Sequence, residues 1–584
     1  NPNNPLEYLG AWNNLSASLG LRTYGTTDGG ITWYSVQPTW GASMNGDPCT
    51  AHDSIGNTFV DNLYGGVAGT RVATSTDNGQ SWANVVFGNT GNDKNWIAAD
   101  QTGGPFANYV YSTITPGTFK LSTDHGASFV QTTTLSPQNL PGMMVCVGPN
   151  ANVQGGSVYV VTNSGSSFAS TYTFFRSTDG GTTFSNMSSQ NFPNYVGSNV
   201  GGRNSVSNMR TRPYQFICAD NSYGSYRGRF YIVYASNNPS GNGNKPDIYC
   251  RYSTDGGATF SAEVIVNDDP NSQNNNQWMP APWCDKTTGK LYIQWMDTRQ
   301  CPTSDSALIY ATYSTDGGLT FAANQQVSNK QFRINCTSCN GGTPAYLGDY
   351  NSITSNSKTS MSAWTDFRNN NFGNYTGYFP DFGLRANPDN VSINSSNFAT
   401  FRMVIPSVKL YTDNVTFSAT VTPTPLSGAL TVSFPGGNTL TNYPDSLLVR
   451  VNAAPGTTPG SYIVEIKAKG SNGTPVHTRT VALTVGLVGV NSISEVPEKY
   501  ELSQNFPNPF NPTTRISYIL RNSSNVTISV FDAMGRLVGS INNGTQTPGS
   551  HYVDFNGSSL SSGVYYYKLE TESFTDTKKM LLIK

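Results

Sequence analysis

Charge is scarce in this 584-residue chain. Only 12% of residues are charged, and 34 Lys and Arg against 35 Asp and Glu leave a net charge of −1. That balance gives no basic footprint for nucleic acid and no patch for a membrane surface. No apolar run approaches the length of a bilayer span, so the chain is not read as membrane-spanning. No secretory leader stands at Asn1, and a processed chain is expected. Catalytic motifs are absent too: there is no Gly-x-Ser-x-Gly elbow, no phosphate-binding loop and no His-Glu-x-x-His. Up to residue 387 there are two histidines, His52 and His125, and two glutamates, Glu7 and Glu263. Neither a metal nor a cofactor is expected.

What the chain has in abundance is turn and strand chemistry, with 58 Gly and 32 Tyr. One short motif recurs six times. It reads Thr26-Thr-Asp-Gly-Gly-Ile-Thr-Trp33, Ser75-Thr-Asp-Asn-Gly-Gln-Ser-Trp82 and Ser122-Thr-Asp-His-Gly-Ala-Ser-Phe129. It returns as Ser177-Thr-Asp-Gly-Gly-Thr-Thr-Phe184, Ser253-Thr-Asp-Gly-Gly-Ala-Thr-Phe260 and Ser314-Thr-Asp-Gly-Gly-Leu-Thr-Phe321. Asp accepts hydrogen bonds from its own turn, and Gly supplies positive φ, so each copy reads as a tight hairpin turn. The motif aspartates Asp28, Asp77, Asp124, Asp179, Asp255 and Asp316 lie 49, 47, 55, 76 and 61 residues apart. A unit of about 40–50 residues suits one four-stranded propeller blade. Each box offers one carboxylate, too few oxygens for calcium, so these aspartates are read as structural.

The pattern resembles the Asp-box, or bacterial neuraminidase repeat, of sialidase-like β-propellers. It covers residues 1–387. Hairpin turns at Asp53, Asp100, Asp220 and Asp285 precede boxes and mark inner strands. A seventh unit around Gly348-Asp-Tyr-Asn and Met361-Ser-Ala-Trp has no box. Seven blades are expected, with six as the alternative. The first unit is short and is read as lacking its innermost strand before Leu6-Glu-Tyr-Leu-Gly-Ala-Trp12, so that either the sequence starts late or another segment fills that place.

Eight cysteines, Cys49, Cys146, Cys218, Cys250, Cys284, Cys301, Cys336 and Cys339, all fall in this region. An even count suits an oxidising compartment and up to four disulfides. Cys336-Thr-Ser-Cys339 has no second pair at zinc-site spacing.

From 388 to 487 Trp and Cys vanish, and Val415-Thr-Phe-Ser-Ala-Thr-Val alternates as a strand does. This segment is expected to form an Ig-like β-sandwich. Residues 488–500 read as a linker. Residues 501–584 contain Phe506-Pro507-Asn508-Pro509-Phe-Asn-Pro, Met534-Gly535-Arg and Ser562-Gly563-Val-Tyr565. They closely resemble the type A C-terminal sorting domain of type IX secretion substrates. The resemblance implies a partner in the type IX secretion machinery. It also implies export to the surface or exterior of a Gram-negative, Bacteroidota-like bacterium.

The sialidase resemblance implies an Arg clamp, a Tyr–Glu nucleophile pair and an Asp acid/base. The first-blade Phe/Tyr-Arg-Ile-Pro motif of that family is absent, and neither Glu7 nor Glu263 is placed to serve a Tyr. A different constellation is expected on the face opposite the boxes. Asp297-Thr-Arg299 and Asp366-Phe-Arg368 follow second strands. A long inter-blade insertion carries Arg203, Arg210 and Arg212, flanked by Tyr195 and Tyr214. The arginines and tyrosines suit an anionic or polyhydroxylated sugar, and Asp297 and Asp366 are the candidate catalytic acids. The competing reading makes each Asp-x-Arg an ion pair that ties loops together.

The sequence is therefore read as an all-β secreted or surface-displayed protein. A non-catalytic propeller head would bind a glycan or surface protein or associate with itself. The alternatives are an extracellular glycoside hydrolase and a structural subunit of a surface layer or fibre.

Overall fold

The run Thr58-Phe-Val-Asp-Asn-Leu-Tyr64 is buried at six of its seven residues. Such burial needs cover on both faces and both edges, and the architecture supplies it. A computed structural model describes residues 1–14, 20–165, 170–237, 245–301, 305–334, 345–368, 372–486 and 499–584. The chain is all-β and divides into two units, Asn1–Gly486 and Leu487–Lys584.

The first unit opens with seven antiparallel sheets among the described residues, spanning 8–34, 44–90, 92–134, 144–190, 215–265, 277–326 and 352–379. They are the blades of a β-propeller. Blade 1 is β1 (Tyr8–Asn14) paired with β2 (Gly20–Thr26), plus a bridge from Gly25 to Tyr34. Blade 2 is complete, in the order β3 (Met44–His52), β4 (Thr58–Tyr64), β5 (Gly69–Ser75) and β6 (Asn84–Thr90). The first strand of blade 3 is β7 (Asn92–Ala99). Among the described residues blade 7 shows three strands and blade 1 shows no innermost strand.

The six repeat turns join third to fourth strands and share one geometry. In blade 2, Ser75 Oγ donates to Asp77 Oδ1 at 2.8 Å and accepts from Gly79 N at 2.7 Å. Asp77 then accepts from Ser81 N at 2.8 Å and Ser81 Oγ at 2.5 Å. Burial works against the charge of each aspartate, but these bonds outweigh it and hold Asp77 and its five counterparts below the usual carboxylate range. The turn glycine also builds the ring. A Cβ at Gly126 would lie 2.8 Å from Phe59, at Gly181 3.0 Å from Phe119, and at Gly257 3.3 Å from Phe174. Each contact is with the preceding blade. At Gly30 of blade 1 the neighbour is Met361 of blade 7, 3.4 Å away, so the ring closes. Tyr8, Met361 and Tyr378 form one buried cluster across that joint.

The hairpins between first and second strands share the face of the repeat turns. There Lys286 Nζ donates to Gln101 O at 2.6 Å, linking blade 6 to blade 3 across the ring.

Cys49, Cys146, Cys218, Cys250 and Cys284 are unpaired thiols, which corrects the expectation of up to four disulfides. They stand on strands of four different blades, each packed against core side chains. Cys336 and Cys339 lie outside the described residues.

Residues 381–486 form sheets of four and five strands around one apolar core that includes Phe401, Met403, Val449 and Ile466. This β-sandwich packs on the propeller through Asn356 Nδ2, which donates to Thr474 Oγ1 at 2.6 Å. Within the second unit, residues 501–582 form a three-stranded and a four-stranded sheet around Ile516, Val530, Tyr567 and Leu582. Its motif residues serve the fold. Pro507 O accepts from Thr514 Oγ1 at 2.8 Å, and Asn508 Oδ1 from Leu581 N at 2.9 Å. Pro509 leads into buried Phe510. Gly535, at φ 76°, closes the turn on Asp532. Gly563 opens the strand in which Tyr565 donates to Ser561 O at 2.8 Å.

Candidate ligand-binding site

Asp297 and Asp366 occupy equivalent places in blades 6 and 7. Asp297 Oδ2 accepts from Trp295 Nε1 at 2.9 Å and Arg299 Nε at 2.9 Å, and Oδ1 from Arg299 N at 2.7 Å. Asp366 accepts from Trp364 Nε1 at 3.0 Å, Arg368 N at 3.0 Å and Arg368 Nε at 2.8 Å. Each arginine continues outward, Arg299 to Asp268 and Asn324, Arg368 to Asn329. Each also lies over a tyrosine, Arg299 4.3 Å from the Tyr310 centroid and Arg368 3.8 Å from that of Tyr375. Both aspartates are fully buried and both oxygens of each are engaged. This Trp-x-Asp-x-Arg clamp has the geometry of a loop tie.

The insertion between blades 4 and 5 folds into a small sheet of Ser198–Val200, Arg203–Val206 and Met209–Arg210. Arg210 N donates to Ala345 O at 2.7 Å and Ala345 N to Asn208 O at 2.8 Å, docking the insertion on the segment before blade 7. That docking carries Arg210 to within 3.5 Å of Asp349 Oδ2 and places it 4.7 Å from the Tyr346 centroid. Arg203, Arg210 and Arg212, with Gly202, Asn204 and Thr211, line a cavity of about 280 Å³. A smaller hollow beside it is lined by Arg212 and Tyr214. Tyr195 is not among the lining residues; its carbonyl accepts from Asn237 N.

Against Tyr214 lies Lys94, fully buried. Its Nζ is 3.4 Å from the Tyr350 centroid and 4.3 Å from that of Tyr214, and no described group hydrogen-bonds to it. Burial pushes the ammonium down, against the pull of Asp349 and Asp47. Asp47 is half-buried at the surface, and burial pushes its carboxyl up to about 7. Its main-chain N donates to Asn13 Oδ1 at 2.7 Å. Tyr346 OH donates to Asp349 Oδ2 at 3.1 Å. Burial first, and then the Asp349 charge, push the Tyr346 phenol far above its ordinary value. Further in, Trp96 packs edge-on against Tyr350 at 5.6 Å and Phe216 at 6.1 Å. Several polar atoms of these residues are buried without a partner among the described residues: Arg210 Nε, Arg212 Nε, Tyr214 OH, Asp93 Oδ1 and Asp349 Oδ1.

Sequence reasoning brought the three arginines and Tyr214 together. It missed Asp47, Lys94, Tyr346, Asp349 and Tyr350. A signal for three of them was present. Asp47, Lys94, Tyr214 and Tyr350 each stand six residues ahead of a hairpin residue: Asp53, Asp100, Asp220 and Asn356.

Residues 504–584 match the family of the secretion system C-terminal sorting domain. The chain carries a type IX secretion sorting domain. Proteins with this domain are exported to the cell surface or the extracellular space of Bacteroidota-type bacteria. Among curated proteins, nothing matches this chain. Solved structures of low identity share its all-β character. PorZ, a surface component of the type IX secretion system of Porphyromonas gingivalis, is 12% identical over 97% of this chain and 63% of its own, with a TM-score of 0.30. An α-L-arabinofuranosidase of Fusarium graminearum is 11% identical over 57% of this chain and 91% of its own, with a TM-score of 0.30. YCF48 bound to D1 peptide is 13% identical over 53% of this chain and 75% of its own, with a TM-score of 0.29.

Proposed function

We propose that the propeller, residues 1–387, is a non-catalytic head that binds an acidic glycan at the mouth of its channel. In this reading an Ig-like spacer, residues 388–487, carries the head, and the sorting domain brings the protein to the surface through the type IX machinery. The reading rests on the three arginines that line one cavity and, behind Tyr214 of the adjoining hollow, on a buried ammonium to which no described group hydrogen-bonds. Guanidinium groups bind carboxylates and sulfates in forked pairs, and a buried ammonium gains most from an incoming oxygen. Tyr214 lines the smaller hollow beside Arg212 and gives it an aromatic wall.

The groups that a hydrolase would need are poorly disposed. The Tyr346 phenol is held protonated, as a donor to Asp349, and is a weak nucleophile in that state. Asp297 and Asp366 are occupied by their clamps.

The test is calorimetric titration of the full chain with polygalacturonate and hyaluronate oligosaccharides, and with a neutral dextran as control. Binding of an acidic oligosaccharide that weakens at least tenfold in Arg210→Ala and Arg212→Ala supports the reading. Equal affinity for the neutral control, or no response in either variant, sinks it. Mass spectrometry of the same mixtures reads product release, and products would establish an enzyme.

A further inference from the structure

The residue after the aspartate of each repeat turn is where one blade meets the one before it. In blades 2 to 6 the preceding blade supplies the contact. Asn78 Nδ2 donates to Tyr8 O at 3.1 Å and to Thr26 O at 2.8 Å, both in blade 1. His125 Nδ1 lies 3.0 Å from Asp53 Oδ2 of blade 2. A Cβ at Gly180 would lie 2.6 Å from Phe106 of blade 3, at Gly256 2.8 Å from Arg176 of blade 4, and at Gly317 2.6 Å from Tyr226 of blade 5. Blade 1 departs from this rule. A Cβ at Gly29 would first meet Val476 of the β-sandwich, at 2.8 Å, and only then Tyr378 of blade 7, at 3.0 Å. The sandwich has taken a place that belongs elsewhere to a blade.

The neighbours of Val476 extend that contact to both sides of the joint. On the blade 7 side, Asn356 Nδ2 donates to Thr474 Oγ1 at 2.6 Å, and Asn472 Nδ2 donates to Asn356 O at 3.2 Å. Lys358 Nζ pairs with Asp413 Oδ2 at 3.0 Å. On the blade 1 side, a Cβ at Gly473 would lie 3.0 Å from Leu6. Between them, Val476 shares one buried cluster with Tyr8 of blade 1 and with Met361 and Tyr378 of blade 7. Thr474 and Val476 are themselves buried. The same short stretch of sandwich therefore touches the first and the last blade at once.

We propose that the β-sandwich is the clasp of the ring. It holds blade 7 against blade 1, and the ring opens at that joint when the sandwich unfolds or lifts away. Blades 1 and 7 are far apart in sequence, so holding them together carries a loop-closure cost that local contacts do not. At this joint part of the compensating burial comes from a third element, and the stability of the ring is coupled to that element. The chain reaches Val476 only after all seven blades, so the ring is locked last.

The test is urea unfolding of the full chain followed by tryptophan fluorescence. All nine tryptophans lie between Trp12 and Trp364, so the signal reports on the propeller and not on the sandwich. Val449→Ala and Val464→Ala each truncate a fully buried side chain of the sandwich core, and neither residue belongs to the cluster at the joint. Both variants should move the tryptophan midpoint to lower urea. A midpoint at the wild-type value in both overturns the proposal. Amide hydrogen exchange of Val476→Ala reads the joint directly. Exchange should speed up at least tenfold in β2 and in Gly373–Phe379 of blade 7, and less in Ser170–Ser177 of blade 4. An even change around the ring, or none, overturns the proposal as well. Neither readout involves a glycan.

Discussion

The ammonium of Lys94 sits 3.4 Å from the centroid of the Tyr350 ring, buried and, among the described residues, without a hydrogen-bond acceptor. A charge in that position costs stability unless something else repays it. Lys94→Met keeps the length of the side chain and removes the charge. The expected result is a fold more stable by about 1–3 kcal/mol, by analogy with buried charges replaced by apolar residues. The same variant should bind acidic oligosaccharide at least tenfold more weakly. Urea denaturation and calorimetry on one preparation check both halves.

Asp47 adds a pH dependence to binding. Its carboxyl is pushed up to about 7 by burial, so it carries a proton at pH 6 and loses it by pH 8. The lost proton leaves a negative charge beside Lys94 and Asp349. Affinity for an acidic glycan should therefore fall from pH 6 to pH 8, and Asp47→Asn should flatten that fall. Titrations at three pH values decide.

Asp61 affects stability instead. It is fully buried, its Oδ2 accepts from Asn95 Nδ2 at 3.2 Å and Ser112 Oγ at 3.4 Å, and burial pushes its carboxyl up to about 7. The folded state thus holds a proton that the unfolded chain releases near pH 4. Its contribution is fully present below pH 4 and is lost as pH rises through 7. Asp61→Asn should stabilise the protein at pH 8 by about 1–3 kcal/mol and leave it unchanged near pH 4. Urea midpoints across that range measure the difference.

The repeat turns should behave in the opposite sense. Asp77 is held below the usual range, so its contribution is present above pH 4 and fades as the solution becomes more acidic. Asp77→Ala removes three hydrogen bonds to a charged acceptor, all at an exposed turn, and should cost about 1–2 kcal/mol at pH 7. Thermal unfolding of the variant at pH 7 and at pH 3 should show a gap that narrows in acid.

Asp297→Asn tests the clamp. Breaking a buried ion pair by removing one partner costs about 3–5 kcal/mol. The variant should lose stability on that scale and keep its glycan affinity, because Arg299 points to Asp268 and not into the cleft. Loss of binding at unchanged stability would move the site to blade 6.

The propeller was legible in the sequence because each blade repeats a turn whose Asp, Gly and hydroxyl residues have a local job. The three arginines could be grouped because they share one insertion. Their counterparts could not. Asp349 and Tyr346 reach Arg210 only because Arg210 N bonds Ala345 O, a contact 135 residues apart in sequence. Lys94 reads as an ordinary surface lysine until the ring closes over it. The cysteines misled because an even count carries no information about which strands face each other, and five of them stand apart as thiols.

The bond from Lys286 to Gln101 O has a further consequence. It ties opposite sides of the ring together at the end remote from the arginine cleft. If the head binds a glycan as proposed, a polymer could not be threaded past that tie, and a bound chain would enter and leave by the same end, which suits free ends and side branches.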